Sequence, residues 1–123
     1  MNELANIMVV DDEADMVEIL KHMLESHGHK VSTALSGEEC IRKVVQSPPD
    51  ILVLDIRMPG MDGWQVLKSL KEKKVTDKSK VLILTVEKGP GVEIFGLQDV
   101  VSDYLVKPFD KRQLLRVISS LED

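Results

Sequence analysis

Short continuous apolar runs recur along the chain, and each is followed by a stretch in which apolar residues return every three or four positions. Ile7-Met8-Val9-Val10 has the unbroken character of a strand buried on both faces. Met16, Val17, Ile19, Leu20, Met23 and Leu24 then fall on one face of a helix, which should stop near Ser26-His27-Gly28, with Gly28 supplying a left-handed C-cap. Val31 to Ala34 reads as a second strand and Glu38 to Gln46 as a second helix, with Ile41, Val44 and Val45 inward and Pro48-Pro49 ending it. Ile51-Leu52-Val53-Leu54 is a third strand, and Trp64 to Lys73 a third helix burying Val66, Leu67 and Leu70. Val81-Leu82-Ile83-Leu84 is a fourth strand, Val92 to Leu97 a weak fourth helix, and Tyr104-Leu105-Val106 a short fifth strand. Lys111 to Leu121 closes the pattern as a fifth helix, with Leu114, Leu115, Val117, Ile118 and Leu121 on one face.

Strands separated by helices imply right-handed crossovers and a parallel sheet covered on both sides. The pattern contains no repeat, low-complexity tract or linker. It predicts an α/β protein: one domain over residues 1–123, a flavodoxin-like doubly wound (βα)5 fold whose five-stranded parallel sheet has the order 2-1-3-4-5. In such folds ligands bind at the carboxyl ends of the strands.

Those ends carry chemistry. Asp11-Asp12-Glu13 follows the first strand, Asp55 the third, Thr85 ends the fourth, and Lys107-Pro108-Phe109 follows the fifth. Singly, each has a structural role open to it: Asp11 or Asp12 caps a helix, Asp55 supports the Pro59-Gly60 turn, Thr85 ends a strand and Lys107 is a surface charge. Together they gather three carboxylates, a hydroxyl and an ammonium in one crevice. Two like charges ~4 Å apart repel by about 4 kcal/mol at an effective dielectric of ~20, so the cluster calls for a hard divalent cation. An all-oxygen site with room for water suits Mg²⁺ better than Zn²⁺. A carboxylate attacks a phosphoryl group when metal and ammonium neutralise its equatorial oxygens, and Asp55, on the central strand, is the natural acceptor.

Composition narrows the context. Acidic residues outnumber basic ones 21 to 16, for a net charge of −5, so neither a nucleic acid nor an anionic membrane is an expected partner. No apolar run approaches the ~18 residues of a membrane span, and Met1-Asn2-Glu3 does not open a signal peptide, so the cytoplasm is expected. Cys40 is alone and falls on the apolar stripe of a helix, as a buried thiol would. His22, His27 and His29 lack zinc-site spacing and suit a helix end. Gly89-Pro90-Gly91 matches neither a dinucleotide nor a P-loop motif. Met58 and Met61 read as loop packing, and Trp64 as a partly buried helix residue.

From Val9-Val10-Asp11-Asp12-Glu13 to Asp103-Tyr104-Leu105-Val106-Lys107-Pro108-Phe109 the chain resembles the response-regulator receiver family of two-component signalling. The block from Leu54 to Gly63, Leu-Asp-Ile-Arg-Met-Pro-Gly-Met-Asp-Gly, is very specific to that family. The resemblance implies a signalling phosphoacceptor rather than an enzyme, with Asp55 accepting a phosphoryl group from a histidine kinase or phosphotransfer protein. It implies Mg²⁺, with Mn²⁺ as substitute, held directly by Asp12 and Asp55, through water by Asp11, and by the backbone carbonyl of Arg57. Thr85 and Lys107 would contact the phosphoryl group. Tyr104 would turn inward as Thr85 moves, and the fourth helix, fifth strand and fifth helix would present the change to an effector.

The chain also departs from the family pattern. Val86 stands where a small residue is usual and should narrow access to the phosphoryl group, and Arg57 and Glu87 are placed to pair across the entrance. Gly89-Pro90-Gly91 predicts either a short, mobile fourth helix or a lengthened loop. Gln113, Val117 and Ser102 replace the charges of a known dimer face, so that dimer is not expected. Two other readings compete. A haloacid-dehalogenase-type phosphatase needs a second carboxylate two residues after the nucleophile, where this chain has Arg57. A binding module without phosphorylation is opposed by the full set Asp11, Asp12, Asp55, Thr85 and Lys107, and a flavin carrier by an aromatic content of 3%.

Overall fold

In a computed structural model the described residues are 4–86 and 96–122. The elements are β1 (Asn6–Val10), α1 (Ala14–Glu25), β2 (Lys30–Ala34), α2 (Gly37–Gln46), β3 (Ile51–Asp55), α3 (Gly63–Glu72), β4 (Lys80–Thr85), β5 (Asp103–Val106) and α4 (Lys111–Glu122). The helix expected fifth is therefore α4 here. Of the weak helix expected over Val92 to Leu97, residues 92–95 lie outside the described residues, as do Glu87 and Gly89-Pro90-Gly91; Gly96 and Leu97 sit in turns.

All five strands run parallel in the order β2-β1-β3-β4-β5, as expected. β3 is buried at every position and β1 at all but its first, because helices cover both faces of these central strands. Alternate residues therefore feed two cores. Ile7, Val9, Ile51, Val53, Leu82 and Leu84 pack against α1 and α4. Met8, Val10, Leu52, Leu54, Val81 and Ile83 pack against α2 and α3.

Local chemistry sets the helix bounds. Ser36 caps α2 by accepting from Glu39 N–H, and Asp62 and Gln65 form a reciprocal capping box on α3. Asp110 and Gln113 exchange the same pair of bonds before α4, which gives Gln113 a local role. Ser102 Oγ likewise accepts from Val81 N–H. Gly28, at φ 92°, ends the α1 segment as its left-handed residue.

Some expectations need correction. Val45 is 47% exposed rather than inward, since α2 turns Gly37, Cys40 and Val44 to the sheet and Val45 falls past the edge of that stripe. Ile19, placed on the apolar face of α1, is 49% exposed. A 3₁₀ turn at Thr76–Lys78 has no counterpart in the apolar pattern. His29 is not a helix-end charge but a buried side chain whose Nδ1 accepts from Ala5 N–H, with Nε2 3.5 Å from Glu122. Cys40 is fully buried, and burial pushes its thiol up to about 12. No described helix is long and apolar enough to cross a membrane.

Candidate metal and phosphoacceptor site

The sheet register builds the site. β1 and β3 pair Val10 with Leu54, so the next residues, Asp11 and Asp55, emerge side by side at the carboxyl edge. Lys107 N–H donates to Thr85 carbonyl at 2.8 Å, prolonging the β4–β5 ladder by one step and bringing Lys107 to the same edge. One carboxylate oxygen from each of Asp11, Asp12 and Asp55 lies within 4.8 Å of the others. Lys107 Nζ donates to Asp55 Oδ1 at 3.2 Å and stands 3.7 Å from Asp11 Oδ2. Four of the five side chains singled out from sequence thus form a tight acid–ammonium cluster, and the fifth, Thr85, is buried at the end of β4.

The two N-terminal acids differ in environment. Asp11 is fully buried; Asp12 is exposed. Neither caps α1, whose N-cap position is held by Glu13 without a side-chain bond. Instead Asp11 Oδ1 accepts from Glu13 N–H at 3.0 Å, while Asp11 Oδ2 has no hydrogen-bond partner. Burial raises the Asp11 carboxyl to about 6; the Glu13 N–H and Lys107 oppose that rise and Asp55 adds to it. A buried carboxylate oxygen without a donor is costly unless a cation satisfies it. The donor set is hard oxygen throughout, and exposed Asp12 leaves one side open to water, which suits Mg²⁺.

The loop after Asp55 is tightly folded. Ile56 N–H donates to Leu84 carbonyl at 3.2 Å, and Gly63 N–H returns to Ile56 carbonyl at 2.9 Å. A Cβ on Gly63 would lie 2.7 Å from Asp55 carbonyl oxygen and 2.9 Å from Ile56 Cα, so only glycine lets α3 begin this close to the acid. The sequence contained Gly63 but no local signal for this role, which is a contact between distant backbones. Gly60 turns the loop with φ 77°. Arg57 is exposed at its start, and Met58 is buried against the second core, as the loop-packing reading expects.

Thr85 and Tyr104 share one face of the sheet, since Ile83 pairs with Tyr104 and Thr85 with Val106. Tyr104 packs against the second core, and its hydroxyl is buried without a hydrogen-bond partner. Burial raises its phenol above the ordinary value.

The likeness to known proteins extends over the whole chain. The sequence profile described as Response regulator receiver domain matches residues 7–119. PilH of Pseudomonas aeruginosa is 34% identical over 118 residues, covering 96% of this chain and 98% of PilH. Response regulator PleD of Caulobacter vibrioides is 38% identical over 117 residues, which are 95% of this chain and 26% of PleD. The chain thus spans about a quarter of PleD, and 44% of the Bacillus subtilis alkaline phosphatase synthesis transcriptional regulatory protein PhoP. A CheY-like response regulator receiver domain protein from Methanospirillum hungatei superposes with a TM-score of 0.86 at 30% identity, over 95% of this chain and 96% of that one. With a matching profile, a full-length relative and the same five-stranded topology, the chain belongs to the response regulator receiver domain family.

Proposed function

We propose that residues 1–123 act as a single cytoplasmic receiver domain that takes a phosphoryl group onto Asp55 and changes conformation in response. Receiver domains are signalling phosphoacceptors, and response regulators interact with histidine kinases and effectors. The observation that carries the reading here is the Lys107 ammonium between Asp55 and Asp11, beside a buried Asp11 oxygen that lacks a donor.

Asp11, Asp12, Asp55 and the Arg57 carbonyl would hold Mg²⁺, with Mn²⁺ as substitute. The ion supplies charge neutralisation at the phosphoryl oxygens and orients them for in-line attack. An Asp55 carboxylate oxygen attacks phosphorus as the bond to the donor histidine nitrogen breaks, and the imidazole leaves with its electron pair. Lys107 shifts from Asp55 to a phosphoryl oxygen, and the Thr85 hydroxyl donates to another. Thr85 moves toward the new anion, and Tyr104, on the same face, follows it into the space released. The surface formed by the fourth-helix region, β5 and α4 then differs between the two states, and an effector reads the difference. Two residues beyond Asp55 stands Arg57, where a phosphatase of the haloacid dehalogenase type carries its second carboxylate, so turnover should be slow, which suits a signal.

Incubation with acetyl phosphate and Mg²⁺, followed by intact mass spectrometry, tests this. One added phosphoryl group is expected on the wild type, with none on Asp55→Asn and none after chelation of the metal. No adduct on the wild type, or rapid continuous release of phosphate, would refute it.

A further inference from the structure

β2 is an edge strand of the sheet, and side chains of α2 reach its outer edge. Lys30 N–H donates to Ala5 carbonyl, and Ala34 carbonyl accepts from Asp11 N–H, so these residues turn their backbone groups toward β1. By alternation the backbone groups of Val31, Thr33 and Leu35 turn outward. Lys43 Nζ donates to Thr33 carbonyl at 2.6 Å, and Glu39 Oε1 accepts from Leu35 N–H at 2.9 Å. Lys43 Nζ also stands 2.7 Å from Glu39 Oε2, so one ion pair joins the two contacts. The Leu35 N–H, and after it Lys43, holds the Glu39 carboxyl below its usual range.

An ion pair at this i, i+4 spacing ordinarily supports its own helix from the surface. This one reaches off α2 onto the neighbouring strand. There it occupies an acceptor and a donor that an added strand would use. Val31, Ser32 and Thr33 carry no charge of their own. Among the described residues none bonds the Val31 N–H, the Val31 carbonyl or the Thr33 N–H. The rest of the edge is therefore ready to pair, and the Thr33 carbonyl is the group withheld.

We propose that the outer edge of β2 is a pairing surface for a second copy of this chain, and that Lys43, held by Glu39, keeps it closed. The edge complements itself. A two-fold axis at Ser32 sets Val31 opposite Thr33 of the second copy, and in antiparallel register two such residues exchange both N–H···O=C bonds. A strand of another protein carries no such built-in register, so the edge itself specifies a second copy. To pair, each copy must give up its bond between Lys43 and Thr33, which opposes association of the wild type. The proposal is independent of the phosphoacceptor reading, since Lys43, Glu39 and Thr33 stand outside the acid cluster.

Sedimentation velocity of the full chain over rising concentration tests this with Lys43→Met, which keeps the apolar stem and removes the donor. The Lys43 side chain is 39% exposed, so the fold does not depend on it, and circular dichroism checks each variant. Lys43→Met should self-associate about tenfold more tightly than the wild type, because the Thr33 carbonyl is released on both copies. Lys43→Arg, which keeps charge and donor, should match the wild type. Adding Thr33→Pro to Lys43→Met removes an outward N–H that β1 does not use, and association should return to the wild-type level. Hydrogen exchange at Val31 and Thr33 should slow as Lys43→Met associates. Association of Lys43→Met no tighter than that of the wild type would overturn the proposal. So would association that Thr33→Pro leaves intact, or slowed exchange confined to surfaces other than β2.

Discussion

Replacing Asp11 by Asn should make the metal-free domain more stable, although it removes part of the proposed metal site. Burial holds this carboxyl at about 6 rather than the ordinary 3.8. Each pH unit of that rise corresponds to about 1.4 kcal/mol, so ionised Asp11 costs the fold roughly 3 kcal/mol. The sign follows from proton counting. Between about pH 4 and 6 the folded domain keeps a proton that the unfolded chain has released, so stability falls as pH rises through that window. Above about pH 6 the cost is fully present, and below about pH 4 it is absent. Asn keeps an oxygen for Glu13 N–H but loses the attraction to Lys107 at 3.7 Å. The Lys107 attraction is already contained in the carboxyl's net shift, but the Asn amide must itself be buried, so the net gain at pH 7.5 should be about 1–2 kcal/mol, or a rise of ~1 M in urea midpoint. Urea titrations in EDTA at pH 7.5 and pH 4 measure it, and the difference between the two proteins should shrink at the lower pH. Adding Mg²⁺ should stabilise the wild type more than the variant, because the proposed site would bind the cation in the folded state through these acids. An Asn variant less stable than wild type in EDTA at pH 7.5, or a difference that ignores pH, would refute this reasoning.

Two other substitutions probe the neighbouring backbone and ring. Gly63→Ala puts a methyl group 2.7 Å from Asp55 carbonyl oxygen, so α3 must move; a loss of about 1–3 kcal/mol in urea unfolding and slower labelling by acetyl phosphate are expected. Wild-type stability in that variant would show that the loop yields freely. Tyr104→Phe removes a buried hydroxyl that has no partner, so thermal unfolding should show unchanged or slightly higher stability, by up to about 1 kcal/mol. A clear loss of stability would mean that the hydroxyl is satisfied in solution.

The strands are legible in the sequence because a central parallel strand is apolar on both faces, and a run such as Ile51-Leu52-Val53-Leu54 fits little else in a chain this short. The helices are legible by period, yet period alone does not fix which marginal positions are covered, as Val45 and Ile19 show. Thr76–Lys78 carries no apolar rhythm and leaves no trace in the sequence. At the site, the residues can be named from their places after the strands, but the difference in burial between the two N-terminal acids cannot. Asp11 and Asp12 are adjacent and chemically identical, and only the path of β1 into α1 buries one and exposes the other. His29 escapes a reading by spacing for a similar reason, since its partners Ala5 and Glu122 are remote in sequence.

The placement of the polar groups also bears on why this arrangement suits a switch. Both cores are built from buried apolar side chains, and protein interiors pack densely, so a change at Asp55 has little room to spread through them. The carboxyl edge is different: three acids share one ammonium and a buried Asp11 oxygen lacks a donor, and two strands from Asp55 the Tyr104 hydroxyl lacks a partner as well. Phosphorylation would turn a monoanion at Asp55 into a dianion and draw Lys107 and Thr85 toward it. Thr85 and Tyr104 leave the sheet on the same face, at the end of the sheet where β5 forms the edge strand. Of the two described residues with a buried unsatisfied side-chain oxygen, Asp11 stands beside Asp55 in the acid cluster and Tyr104 shares a sheet face with Thr85.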